Sequence, residues 1–178
     1  MLFERHSRAV YNFCFRRTAD WAVAEDLTSI VFLEAWRRRG DVTLKDGRAL
    51  PWLLGVAVNV LRNRGRAERR HRAALSRLTL EQSPDFADAV DARLDDERRM
   101  RATLRTIAKL PRREQDVLAL CAWAGLSYED AAVALGLPVG TVRSRLSRAR
   151  ARVRELMSES GHELDDDQVA VHEAYEHD

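Results

Sequence analysis

The sequence predicts an all-α protein of two small helical domains joined by a flexible linker, the C-terminal one a four-helix helix-turn-helix domain. Three observations lead there. Apolar residues recur at intervals of three and four through most of the chain, with few of the β-branched alternations that suggest strands. Residues 73–93, containing Ser76, Ser83, Pro84 and mixed charge, carry no strong apolar period. Two short helical patterns then meet at Gly136, the arrangement of a DNA-binding helix-turn-helix. The expected domains cover residues 1–72 and 94–157, with a linker at 73–93 and an acidic, disordered tail at 158–178. Each domain is near the lower size limit for a self-sufficient core.

The first helix is expected over residues 2–18, with Phe3, Val10, Phe13 and Tyr11 facing inward. A second spans 23–39, where Val23, Leu27, Ile30 and Val31 form one stripe. Phe32, Leu33 and Trp36 fall well off that stripe, so this helix must bury a second face or offer it to a partner. Residues 40–48, GDVTLKDGR, form a loop by composition. Pro51 suits the first turn of a third helix over 50–70, oily at first through Trp52, Leu53, Val56, Val60 and Leu61. Its second half is cationic, with Arg62, Arg64, Arg66, Arg69, Arg70 and Arg72 close together. Gly65 in that half costs about 1 kcal/mol relative to alanine and is expected to bend or end the helix. The second domain is expected to place helices at 95–108, at 112–123 after Pro111, at 128–135 and at 139–157.

In the helix-turn-helix, the Ser127 hydroxyl can cap the helix that follows, and Asp130 can return the bond in a short capping box. Gly136 supplies the left-handed turn that ends that helix, and Pro138 restarts the chain. In the last helix Val142, Leu146, Ala149 and Val153 share one face, which should be core. Gly140, Ser144, Ser147 and Arg148 point the other way with Thr141 beside them. Small residues there allow close approach to base edges, and arginine can donate two bonds to guanine. Arg143, Arg145, Arg150, Arg152 and Arg154 flank or extend that face and suit phosphate contacts.

A formal net charge of +2 conceals a segregation. Residues 155–178 carry nine acidic side chains and no Lys or Arg, which leaves residues 1–154 with thirty basic against nineteen acidic groups. A basic body suits a polyanionic partner, although charge alone does not choose between nucleic acid and an anionic membrane. The longest apolar run, residues 52–58, is far short of the roughly 20 residues a membrane span needs. Glu4, His6 and Arg8 interrupt the N-terminal apolar residues before any secretory core forms, so a cytoplasmic address is expected. Cys14 and Cys121 lack companions at metal-ligand spacing and read as two free thiols packed as small hydrophobes, with no metal or cofactor. Of the histidines, His162, His172 and His177 lie in the tail and His71 sits in an arginine run. With no HExxH, GxSxG or phosphate-cradling glycine loop, an enzyme is not expected.

Four segments carry a family resemblance by their order and spacing: AEDLTSIVFLEAW at 24–36, PWLLGVAVN at 51–59, LPRREQDVL at 110–118 and GLPVGTVRSRLSRAR at 136–150. Together they resemble the extracytoplasmic-function sigma factors, small bacterial initiation subunits of the sigma-70 family. The resemblance implies that the second helix docks on the largest subunit of core RNA polymerase through Phe32, Leu33 and Trp36, with Glu25 and Asp26 nearby. It implies that the loop bearing Lys45 and Arg48 captures a flipped base of the −10 element. Asn59, Arg62, Arg66, Arg69 and Arg70 would lie along that single strand or the adjoining duplex. Thr141, Ser144, Arg145 and Arg148 would read the −35 element, with Gly140, Arg143, Ser147 and Arg152 on the same DNA surface. The implied partners are core RNA polymerase, promoter DNA and, as for many members, an anti-sigma factor.

Trp21, in a turn usually polar in that family, and the tail from Glu159 onward stand outside the resemblance. The tail reads as a solubilising end, or, by its charge, as a segment folding back on the arginine-rich helix. A different reading of the chain is a stand-alone helix-turn-helix regulator whose N-terminal half dimerises or binds a ligand.

Overall fold

The structure, a computed structural model, describes residues 2–40, 42, 44, 47–75 and 91–160. Lys45, most of the expected linker and the tail beyond Ser160 lie outside the described residues. The helices are α1 (Leu2–Thr18), α2 (Trp21–Arg37), α3 (Ala49–Leu75), α4 (Asp91–Ile107), α5 (Arg112–Leu118), α6 (Tyr128–Leu135) and α7 (Val139–Ser160). A π-helical segment, Ala119–Trp123, continues α5 directly.

Local chemistry explains where these elements begin and end. The Asp20 carboxylate accepts a bond from the Val23 amide at 2.9 Å, so α2 starts at Trp21, two residues before the apolar pattern alone suggests. α3 runs straight through Gly65 to Leu75, because arginine, alanine and glutamate around it are strong helix formers. The expected break at Gly65 is absent. Only Ala19 and Asp20 join α1 to α2, and the tight reversal holds buried Ala19 at a φ of 52°. Trp21 closes over this corner, its ring stacked on Phe15 with centroids 3.5 Å apart and on Tyr11 at 5.7 Å.

The core of the N-terminal half comes from Val10, Phe13, Cys14, Leu27, Val31, Leu53, Leu54 and Ala57. Two residues expected inside are not. Phe3 is 54% exposed and Ile30 45%. Phe3 lies in the first turn of α1, overhanging the core, where only the edge of the Phe32 ring meets it at 4.9 Å. On α2 the small residues Ala24, Thr28 and Ala35 are buried along with Leu27 and Val31. They rotate the buried face by roughly a fifth of a turn at 3.6 residues per turn, and Ile30 swings outward.

The two halves lie against each other and share one apolar core. α3 packs on α6, while α1 meets α4 and the π-helical segment. Backbones approach closely at Gly55 of α3, where a Cβ would fall 2.3 Å from the carbonyl oxygen of Ala134 on α6. A side chain of any kind is excluded there.

Candidate nucleic-acid interface

The helix-turn-helix is assembled by its punctuation. The Ser127 hydroxyl accepts from the Asp130 amide at 3.1 Å and caps α6. Gly136 adopts φ 63° and ψ 40°, while the Leu137 amide donates to the Ala132 carbonyl, closing a C-terminal cap that glycine makes without strain. The chain then turns at Pro138, whose carbonyl accepts from Thr141 and Val142. The expected reciprocal half of the capping box is missing: the Asp130 carboxylate binds the Arg48 guanidinium at 2.8 Å instead.

α7 sorts its residues as its periodicity requires. Val142, Leu146 and Ala149 are buried and Val153 is half-buried against the core. Gly140, Ser144, Ser147 and Arg148 are exposed on the opposite side, with Thr141 and Arg145 half-exposed at its margin. The face is ordered from within. Ser144 donates to the Thr141 carbonyl at 3.1 Å, Arg148 to the Ser144 carbonyl at 3.2 Å, and Arg143 rests 5.6 Å from the centre of the Tyr128 ring. Among the described residues these carbonyl and ring contacts bring no carboxylate to the guanidinium groups, and a charge of that kind suits a phosphate or a guanine edge. Arg152 differs from its neighbours, because it donates to the buried Glu114 carboxylate at 2.7 Å and so ties α7 to α5.

On α3, Asn59, Arg66, Arg69 and Arg70 are exposed. Arg66 bonds the Asn63 side chain along the helix surface. Arg62 is different: its Nε and its NH2 group lie 2.9 and 2.8 Å from Asp116 Oδ2. Asp116, on α5, is only 2% exposed, and its other oxygen accepts from Arg17 of α1 at 2.9 Å. Arg17 also donates to the Gln115 carbonyl at 3.1 Å. Burial pushes the Arg17 pKa down, and the Asp116 charge opposes that shift. A carboxylate so far out of water requires such partners, since a buried unpaired charge is costly. Sequence reading passed over Arg17, Glu114 and Asp116. Val10, Cys14 and Arg17 are spaced four and three, so an arginine on the core stripe of α1 was the available signal for a buried acid.

α2 presents a third surface. Leu33 is 50% exposed and Trp36 64%, with exposed Ile30 one turn before Leu33 and Glu25 and Asp26 exposed at the N-terminal end. Phe32 is half-buried against Phe3. Arg39 donates to the Trp36 carbonyl at 2.8 Å and places its guanidinium 4.0 Å from the indole centre. That contact restricts the orientation of an exposed tryptophan.

Two family models match the chain in this order. The one described as Sigma-70 region 2 covers residues 2–71 and the one described as Sigma-70, region 4 covers residues 100–153. The RNA polymerase sigma-H factor of Pseudomonas aeruginosa is 33% identical over 162 residues, 86% of this chain and 82% of that protein. The ECF RNA polymerase sigma factor SigL of Mycobacterium tuberculosis is 32% identical over 165 residues, 90% of this chain and 89% of its own. The chain belongs to the sigma-70 family as an extracytoplasmic-function sigma factor. Its fold agrees. CnrH, solved with the cytosolic domain of CnrY, superposes with a TM-score of 0.63 at 25% identity, covering 89% of this chain and 86% of that one. The sigma factor RpoE of Bartonella quintana, solved with the anti-sigma factor NepR, has the same fold at TM-score 0.63 and 23% identity, covering 88% and 94%. As a sigma factor the chain works with core RNA polymerase and promoter DNA at transcription initiation. Nothing favours the stand-alone regulator. No helix among the described residues is long and apolar enough to cross a membrane.

Proposed function

We propose that the three surfaces divide the work of initiation: α2 docks on core polymerase, α7 reads the −35 duplex, and α3 with the loop before it holds the opened −10 strand. The observation that carries this reading is the pairing, in one chain, of an ordered exposed tryptophan on α2 with an exposed glycine, serine and arginine face on α7. A cationic helix that grips a single strand adds binding energy only once the duplex has opened, which is how binding can drive strand separation without covalent chemistry. The chain is therefore read as an initiation factor without catalysis of its own, acting in the cytoplasm where its polymerase is. The Bartonella quintana sigma factor bound to its anti-sigma factor supports an anti-sigma protein as a proposed partner here.

The test is titration of bacterial core RNA polymerase with the purified chain and with a Leu33→Ala/Trp36→Ala variant. Both side chains are at least half exposed, so the fold should be untouched. We expect a one-to-one complex and a loss of about thirtyfold in the variant, the effect of removing an interface anchor worth about 2 kcal/mol. Unchanged affinity in the variant would overturn the α2 assignment.

A further inference from the structure

A cavity of about 320 Å³ opens where α1, the start of α2, α3 and α5 meet. Four arginines line it: Arg17, Arg62, Arg64 and Arg112. Its acids do not offset them evenly. Glu68 takes Arg64 at 2.6 Å, and the Asp20 carboxylate is turned to the Val23 amide at 2.9 Å. Asp116 then faces two cations, Arg17 and Arg62, with a single charge. Among the described residues no carboxylate is bonded to Arg112. The crowding acts on Arg17, whose pKa burial lowers most; Asp116 opposes that shift, and Arg62 and Arg112 push it down further.

Shape adds to charge. Gly65 forms part of the α3 wall, and a Cβ there would stand 3.6 Å from Arg112 Nη1 and 3.5 Å from Arg69 Nη1. Two guanidinium groups therefore converge over a stretch of wall that carries no side chain. Arg62 bonds Asp116 through Nε and Nη2, which leaves its Nη1 hydrogens for a ligand. Half-buried Val23 and Leu61 supply the apolar part of the lining. The volume is near the lower end of the range for small-molecule sites and corresponds to about ten waters, more than one phosphate fills. Planar guanidinium forks match phosphate oxygens in pairs, and several of them around one cavity suit linked phosphates. We propose that this cavity binds a small molecule bearing a diphosphate group, its oxygens held by Arg112 and Arg62. Asp116 is the positioning residue, because it fixes Arg17 and Arg62 before the ligand arrives. Free pyrophosphate and a nucleoside diphosphate share the recognised group.

Calorimetric titration of the full chain with sodium pyrophosphate, at 0.15 M salt and without divalent cations, reads binding directly. At that ionic strength charges more than about 8 Å away are largely screened, so a diffuse basic surface contributes little. Three variants locate the site. Arg112→Ala removes an exposed cation. Gly65→Leu fills the cavity while leaving every charge in place, and leucine is the better helix former. Arg105→Ala removes an exposed arginine of α4 that is not part of the lining. Circular dichroism checks that each variant is folded.

We expect one-to-one binding and a melting temperature that rises with pyrophosphate. Affinity should fall about thirtyfold in Arg112→Ala, the effect of losing one charge-assisted contact, by a similar factor in Gly65→Leu, and hardly at all in Arg105→Ala. A parent chain that gives neither heat nor a higher melting temperature would overturn the proposal. So would equal losses in Arg112→Ala and Arg105→Ala, or full affinity in Gly65→Leu, since the anion would then sit on diffuse charge outside the cavity. Inorganic phosphate binding as tightly as pyrophosphate would remove the diphosphate requirement. ADP separates the two sources. Tighter binding than pyrophosphate assigns the site to a nucleoside diphosphate whose rings use Val23 and Leu61, and binding no tighter assigns it to free pyrophosphate.

Discussion

The arginines of α7 and those of α3 look alike in sequence and differ in the fold. Both helices pack cationic residues densely, yet among the described residues Arg148 bonds a carbonyl of its own helix, while Arg62 is tied to an acid from the other half of the molecule. The difference lies in where the compensating acids fall. Arg152 has Glu114 and Arg62 has Asp116, both on α5 and both buried. Which arginine is paired with an acid thus depends on carboxylates far away in sequence, and charge density along one helix does not report it.

A pair of substitutions on α7 puts this contrast to the strongest test. Arg152→Ala leaves Glu114 buried without its cation and is expected to destabilise the chain by about 2 kcal/mol, the cost of an abandoned buried acceptor, reduced because Arg152 is about half exposed. Arg148→Ala is expected to change stability by less than about 0.5 kcal/mol. It should weaken duplex binding and, if Arg148 contacts phosphate, lower the salt dependence by about one ion. Urea unfolding and duplex titrations at several salt concentrations separate the two. The sorting collapses if Arg152→Ala melts like the parent, or if Arg148→Ala binds duplex DNA unchanged.

How much of this was legible follows from how far apart the cooperating residues are. Ser127, Gly136 and the Val142, Leu146, Ala149 face act through neighbours at most a few positions away, and their helices and faces appear in the structure as the spacing requires. The exposed α2 face through Leu33 and Trp36 was visible as an excess of apolar residues off the buried stripe. The buried side of the same helix was misjudged at Ile30, because alanine and threonine mark a core face as firmly as leucine does when a neighbouring helix comes close. Least legible were the contacts between halves. Asp116 and Arg62 are 54 residues apart, and Gly55 and Ala134 meet only because the two halves do. No local period encodes such a meeting. An arginine on the stripe of Val10 and Cys14 was its one trace.

Two glycines on α3 give a smaller effect and a sharper comparison. A Cβ on Gly65 would make only ordinary contacts, the nearest to the Arg69 guanidinium at 3.5 Å, whereas one on Gly55 meets a carbonyl. Gly65→Ala is therefore expected to stabilise the chain by up to about 1 kcal/mol, the intrinsic helix preference, with no change in compactness. Gly55→Ala carries the same intrinsic gain and should nevertheless open the molecule. If denaturant melts of the two variants coincide and both stay compact, α3 has no specific contact with α6 in solution.

The smallest expected effect uses one thiol in each half as a reporter. Cys14 and Cys121 are both buried, and burial pushes each pKa up to about 11 from an ordinary value of 9.0. The folded chain then holds protons that the unfolded chain releases between those values, so this contribution is fully present below pH 9 and is lost as pH rises through 11. At pH 8 a thiol reagent should label neither residue except through opening, so the labelling rate counts openings. Because the halves share one core, both thiols are expected to be labelled with the same dependence on urea, that of the whole chain unfolding. Should Cys121 react faster and with a shallower dependence than Cys14, the C-terminal half unfolds by itself. The contacts at Asp116 and Gly55 would then join two independently stable modules.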